Sequence, residues 1–152
     1  MFTVADMMTP HPHTLTSAHT LADAKKLMEE KGIHHVPVTD KDNRLIGLVS
    51  QRDILSAQES SLEQIHQSSF ISALDIPLEQ CMHRDLSNVE PHAGLKEAAV
   101  YMQKHKIGCL PVLHQNKLVG IITDSDFVAI AINLLEIQEE VEPTEQGDAN
   151  FY

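Results

Sequence analysis

The chain has 152 residues, with 11 Lys and Arg against 22 Asp and Glu, which gives a formal net charge of −11 with neutral histidines. Such a charge repels the phosphates of nucleic acids, and no apolar stretch approaches the roughly 20 residues that a membrane helix requires. We therefore expect neither nucleic acid nor a membrane as a partner. Two cysteines do not suggest a disulfide framework, and the N-terminus lacks the apolar core of a signal peptide, so we expect a cytoplasmic protein.

The first predicted elements lie in the N-terminal third. Residues 13–16 could form a short leading strand. A helix is predicted from Thr20, which forms a capping-box pattern with Asp23, and Gly32 is a plausible helix stop. The β-rich runs 36–39 and 44–50 then flank a turn, and a second helix starts at Gln51.

The same order recurs in the second half of the chain. Residues 4–55 align with residues 78–128 once Asp42 is deleted, and identical residues then keep one offset. The corresponding second-half elements are a leading strand at 87–90, a helix that contains Leu95 and Met102, strands at 110–113 and 117–123, and a helix from about Ser125. We predict the order β-α-β-β-α twice.

The repeat sets the predicted domain boundaries. We expect the first repeat at residues 1–57, a connector at 58–77, the second repeat at 78–137, and an acidic, disordered tail at 138–152. One unit of about fifty residues buries little surface alone, so each apolar sheet needs a cover. The prediction is an α/β (α+β) fold in which the repeats pack sheet to sheet with pseudo-two-fold symmetry, leaving two equivalent clefts.

A short motif ends the second β-run of each repeat. Residues 47–53 and 120–126 share the pattern Gly, two apolar residues, a hydroxyl residue, two variable residues and Asp. The free N–H groups at a helix start suit a phosphate, and a carboxylate can accept hydrogen bonds from a ribose diol. The same Asp could instead cap the helix. The residues alone leave both interpretations open, since duplication also copies structural caps.

These motifs, together with the Ile-x-x-x-Pro-Val segments at 33–38 and 107–112, resemble a tandem pair of cystathionine-β-synthase-type (CBS) domains, a Bateman module. The resemblance covers residues 4–135. It implies a regulatory or sensor module rather than an enzyme, with no required cofactor. It also implies clefts for an adenosine-containing ligand such as AMP, ADP, ATP, NAD or S-adenosylmethionine.

The resemblance also implies which residues line each cleft. The first cleft, the preferred site, combines Thr9, Pro10, Pro12, His13, Ile33, His34, His35, Val36, Pro37, Thr123, Ser125 and Asp126. The second cleft combines Ser50, Arg52, Asp53, Val89, Gly108, Cys109, Leu110 and Pro111, with Arg52 as its main cation. Neither cleft has a full basic set, so a monophosphate, AMP, is the expected ligand.

The sequence also offers weaker signals for other classes of function. Ten histidines suggest a metal site, but no Cys pair or helical His pair fixes a ligand set, so no metal is expected. Cys109 could act as a nucleophile only beside an activating base. The alternative function is a ligand-independent scaffold for protein partners. The apolar last helix predicts a homodimer, and a module without a fused enzyme would act on a protein target, still unknown, in trans.

Overall fold

The structure, a computed structural model, describes residues 1–63 and 73–141, with only the backbone of residues 60–63. The first repeat contains α1 (Val4–Met7), β1 (Thr9–Pro10), α2 (Leu21–Lys31), β2 (His35–Thr39), β3 (Leu45–Ser50) and α3 (Gln51–Glu63). After a 3-10 turn at Ala73–Asp75, the second repeat contains α4 (Leu78–Cys81), α5 (Leu95–His105), β4 (Cys109–His114), β5 (Lys117–Thr123) and α6 (Asp124–Val141).

Helix α2 begins and ends where the sequence predicts. The Thr20 hydroxyl oxygen accepts the N–H of Asp23 at 3.3 Å, while the Asp23 carboxylate accepts the N–H of Thr20 at 2.9 Å. At the other end Gly32 adopts a left-handed backbone and closes the helix. The predicted capping box and glycine stop are confirmed.

The strands form two sheets, and the N-terminal segment of each repeat crosses to the sheet of the other repeat. One sheet is the antiparallel pair β2-β3, and the other has the order β1-β5-β4. Strand β1 belongs to the first repeat but pairs with β5 of the second, with Thr9 opposite Ile121. In the same way His83 of the second repeat exchanges two backbone hydrogen bonds with Leu48 of β3, at 2.9 and 3.0 Å.

The leading strands predicted at 13–16 and 87–90 are reduced to single bridging residues. Leu15 pairs in parallel with Val38, and Val89 pairs in parallel with Val112. The first segment stops because the N–H of Thr16 donates to the ring of His19 at 2.9 Å rather than to a strand. The second stops at Pro91, which has no N–H to donate.

Each repeat has its own core, and each core is completed by a helix from the other repeat. Val4 of α1 is fully buried with Leu95 and Leu110 of the second repeat, whereas Leu78 of α4 is fully buried in the first repeat's core. The short helices α1 and α4 were not predicted from sequence, and each places a buried side chain of its own repeat in the core of the other.

Two glycines make room for the segments that cross between the repeats. A Cβ atom on Gly47 would overlap the sulfur of Met82, and a Cβ atom on Gly120 would overlap the sulfur of Met8. Only a residue without a side chain lets the methionine of the opposite repeat lie against the strand. The matched Gly and Met pairs of the sequence repeat are therefore contacts between repeats.

The observed fold is the predicted α/β pair of repeats. The two halves also meet through their β-hairpins. The side-chain amide of Asn43 donates to the carbonyl of Leu118 at 2.9 Å, and the N–H of Leu118 donates to the carbonyl of Asn43 at 3.0 Å. Within residues 1–63 and 73–141, no helix is both long and apolar enough to cross a bilayer.

Two helices extend past the predicted domain boundaries. Helix α6 runs to Val141, beyond the boundary at 137, because residues 138–141 contain no Gly or Pro to stop it. Helix α3 likewise continues to Glu63, into the predicted connector. The predicted disorder of the tail from residue 142 onward lies outside the described residues.

Candidate ligand-binding clefts

The site is built on the two junctions where a strand passes directly into a helix. At the first junction the N–H and hydroxyl of Ser50 donate to Oδ2 of Asp53 at 2.7 and 3.1 Å. At the second, Thr123 donates to Oδ2 of Asp126 at 2.8 and 3.3 Å. The capping interpretation therefore holds for one oxygen, Oδ2, of each carboxylate.

The second oxygen, Oδ1, contacts the leading segment of the opposite repeat, and the two junctions differ there. Oδ1 of Asp126 lies 3.4 Å from the Thr9 hydroxyl, which is long for a hydrogen bond between oxygens. Oδ1 of Asp53 lies 2.7 Å from Nε2 of His83, a short contact. Both carboxylates are held through Oδ2, and they differ in that Oδ1 has a weak contact in Asp126 and a strong one in Asp53.

The first cleft is a cavity of about 220 Å³ between the second junction and the start of β2. Its lining brings together most of the residues predicted for it: Thr9, Pro12, His13, Ile33, His34, His35, Thr123, Ser125 and Asp126. Gly32, Ile121 and Asp124 also line it and were not predicted. Pro10, Val36 and Pro37 do not, and the side chains of Val36 and Pro37 lie in the interior.

The second cleft is larger, with a volume of about 920 Å³. The predicted residues that line it are Ser50, Arg52, Asp53, Gly108, Cys109 and Pro111. Leu110 is fully buried instead, and Val89 packs against the second core. The symmetry of the sequence repeat predicts equivalent clefts, but the two cavities differ about fourfold in volume.

The prediction from sequence missed two basic residues of the second cleft. Lys106 lines it, so Arg52 is not alone in supplying positive charge there, and the imidazole of His83 lines it as well. The signal was present in the sequence alignment, where Lys106 takes the place of Gly32 and His83 takes the place of Thr9. Comparing the halves at every cleft-lining position would have found them.

The two clefts share a wall formed by His34, His35 and Asp124, which line both cavities. Burial lowers the pKa of His35, and the nearby charge of His34 lowers it further, although Asp124 and Asp53 oppose the shift. His35 is therefore held in its neutral form near pH 7, able to donate one hydrogen bond and accept another.

The chemistry of Cys109 differs from that of a nucleophile. Burial raises the pKa of its thiol to about 12, and the carboxylates of Asp124 and Asp126 add to the effect. A thiol this hard to ionise is inert near neutral pH. Over the part of the chain that the structure describes, no three His, Cys, Asp or Glu side chains lie close enough together to hold a metal ion.

The comparisons with known proteins agree with this architecture. The family model of the CBS domain matches residues 4–60 and 75–133. A crystal structure of a Vibrio cholerae protein, named as a candidate acetoin utilization protein (AcuB), is 61% identical, with a TM-score of 0.78 over 94% of this chain and 99% of that one. The crystal structure of CBSX2 in complex with AMP is 28% identical, with a TM-score of 0.73 over 89% of this chain and 99% of that one.

A curated relative shows the same unit inside a longer protein. Homoserine O-acetyltransferase of Methanococcus vannielii is 30% identical over 118 residues, which is 76% of this chain but 22% of the enzyme. The chain thus spans only about a fifth of the length of that relative.

Fold and clefts together define a pair of α/β repeats whose leading segments cross to the opposite sheet, with two cavities at the strand-to-helix junctions. The chain belongs to the CBS domain family and carries two CBS domains in tandem.

Proposed function

We propose that this chain is a non-catalytic regulatory module that binds AMP in its first cleft and signals occupancy to a protein target in trans. The observation that carries the proposal is the geometry at Asp126. One carboxylate oxygen is fixed by Thr123 at 2.8 Å, and the other faces the first cavity with only a weak contact to Thr9 at 3.4 Å. A rigid carboxylate with a free acceptor is well suited to a ribose diol.

The remaining lining residues supply the other parts of a nucleotide site. The imidazoles of His34 and His35 are the donors for a phosphate, and Ile33 and Pro12 offer apolar surface to an adenine ring. The cavity of about 220 Å³ is smaller than the ~300–1,000 Å³ usual for small-molecule sites. It suits the nucleoside part, with a single phosphate beside the histidines that line both cavities.

The identity of the ligand is supported by a relative and by charge. CBSX2, 28% identical to this chain, was crystallised with AMP. The first cleft contains neither Lys nor Arg among its lining residues, which favours a monophosphate over a triphosphate. ADP, ATP, NAD and S-adenosylmethionine are the competitors to compare with AMP.

The decisive test separates ribose binding from helix capping. Asp126→Asn keeps an oxygen that can accept the N–H of Thr123 but removes the charge that faces the cavity. We expect AMP affinity to fall about 10- to 100-fold in calorimetric titration, as for a lost hydrogen bond to a charged group, with little change in unfolding temperature. The control is Asp23→Asn, since Asp23 makes the same contacts to Thr20 without lining either cavity. Unchanged AMP affinity in Asp126→Asn would refute the proposed site.

A ligand-independent scaffold is the second candidate, and helix α6 favours it. Ile132, Leu134, Leu135 and Ile137 are each more than half exposed, which leaves apolar surface on more than one side of the helix uncovered in the single chain, including the face that holds Ile132 and Leu135. We propose that this face forms a homodimer. A thermal-shift panel distinguishes the candidates, because a ligand at about 100 times its Kd stabilises the folded state by roughly 2.7 kcal/mol. No shift with any of the five adenosyl ligands would favour the scaffold.

We place the module in the cytoplasm. Among the described residues both cysteines, Cys81 and Cys109, are unpaired, as is usual in reducing compartments.

A further inference from the structure

The two clefts carry different residues at the position that faces the sugar-binding carboxylate. Thr9 occupies this position in the first cleft, and His83, its counterpart in the repeat, occupies it in the second. Both are placed by the same strand pairing, since Thr9 lies opposite Ile121 and His83 lies opposite Leu48. The backbone is therefore equivalent, and only the side chain differs.

The histidine side chain changes what the carboxylate can do. Nε2 of His83 lies 2.7 Å from Oδ1 of Asp53, while Oδ2 of the same carboxylate accepts from Ser50 at 2.7 and 3.1 Å. Both oxygens of Asp53 are thus already engaged. Three donors already occupy three of the roughly four acceptor sites of this carboxylate, so the two hydroxyls of a ribose diol would have to displace one of them. Displacing the imidazole would remove a short hydrogen bond to a carboxylate that is only 18% exposed.

We infer that His83 is a specificity-determining residue that closes the second cleft to nucleosides, so that each chain binds one AMP and not two. The inference rests on the proposed function, because it assumes that Asp126 binds ribose in the first cleft. The second cleft keeps Arg52, Lys106 and the shared histidines at its border. With its carboxylate engaged by His83, the second cleft has these basic residues but no free sugar-binding group beside them.

Exchanging the two residues tests the inference. His83→Thr reproduces the first cleft at the second junction and should raise the stoichiometry of AMP binding from one to two per chain in calorimetric titration. Thr9→His reproduces the second cleft at the first junction and should lower the affinity of the first site at least tenfold. Both side chains lie at exposed positions, so neither exchange alters a packed core.

Two control variants show whether the change in AMP stoichiometry is specific to His83 or follows from the removal of any histidine. His83→Ala removes the imidazole without adding a hydroxyl and should also allow a second AMP to bind. His92→Ala removes a histidine that lies 2.9 Å from Glu90, is 79% exposed and lines neither cavity, and should leave one AMP per chain. Unfolding temperatures of the apo variants establish that each is folded.

The outcomes distinguish the two proposals. Two AMP molecules bound by the wild type, or one bound by wild type, His83→Thr and His83→Ala alike, would overturn the role of His83 and leave AMP binding intact. If neither the wild type nor His83→Thr binds AMP, the proposed function is overturned, and this inference with it.

Discussion

Lys106 has the same left-handed backbone conformation as Gly32, its counterpart in the other repeat. The φ and ψ angles are 53° and 44° at Lys106 and 63° and 36° at Gly32, and each residue ends the first long helix of its repeat. A residue with a Cβ atom is disfavoured in this conformation by roughly 1–2 kcal/mol. The lysine is nevertheless present at a position that lines the second cavity.

Lys106→Gly should therefore stabilise the apo protein. Relief of the strained backbone is partly offset by the greater freedom of glycine in the unfolded chain, so we expect a gain of up to about 1 kcal/mol in the free energy of unfolding. Urea denaturation measures it. Gly32→Ala is the reverse control and should destabilise by about 1 kcal/mol. A loss of stability in Lys106→Gly would show that the lysine side chain makes compensating contacts.

The exchanged helices predict that a change in one repeat destabilises the core of the other. Leu78 belongs to the second repeat but is fully buried against the first repeat's core, which includes Leu21. Leu78→Ala should cost about 2–5 kcal/mol of unfolding free energy, and the first repeat's amides should lose hydrogen-exchange protection. Leu55→Ala, at a position 52% exposed, should cost far less. Loss of hydrogen-exchange protection confined to the second repeat would show that Leu78 stabilises only its own repeat and would contradict this prediction.

His35 predicts a pH dependence of stability. Burial holds the pKa of its imidazole below the usual 6.5, and the groups that face it are Asp124, Asp53 and His34. As the pH falls below about 6.5 the unfolded chain takes up this proton first, so the stability is lost as the pH drops. His35→Gln should therefore reduce the difference in unfolding free energy between pH 7.5 and pH 5.5.

The control for this experiment is His92→Gln, which removes an exposed histidine outside both cavities. It should leave the slope of stability against pH as in the wild type. An unchanged slope in His35→Gln would mean that other groups produce the acid sensitivity.

The apolar face of α6 predicts the oligomeric state. Leu135 is 58% exposed and Ile132 is 51% exposed in the single chain. Leu135→Glu should raise the dissociation constant of the dimer at least about tenfold, because it places a charge where the proposed dimer buries an apolar side chain. Sedimentation velocity measures the change. Val100→Glu introduces the same charge at a 52% exposed position on α5 and should leave the dimer intact. A wild-type chain that sediments as a monomer would refute the predicted homodimer.

Much of the fold could be predicted from the sequence because its signals are local. The capping box of Thr20 and Asp23, the stop at Gly32 and the β-runs around residue 43 each depend on residues a few positions apart. The repeat then placed Ser50 with Asp53 and Thr123 with Asp126 at equivalent junctions. These pairs lie three residues apart, so their contact follows from the strand-to-helix turn alone.

The tertiary structure alone decided how the halves differ. Thr9 meets Asp126 across 117 residues of chain, and His83 meets Asp53 across 30. Both contacts depend on each leading segment crossing to the opposite sheet, which local patterns do not encode. The sequence by itself therefore determined two similar repeats with two similar carboxylates. The long-range strand pairing determined which carboxylate is free, because it sets the side chain opposite each one.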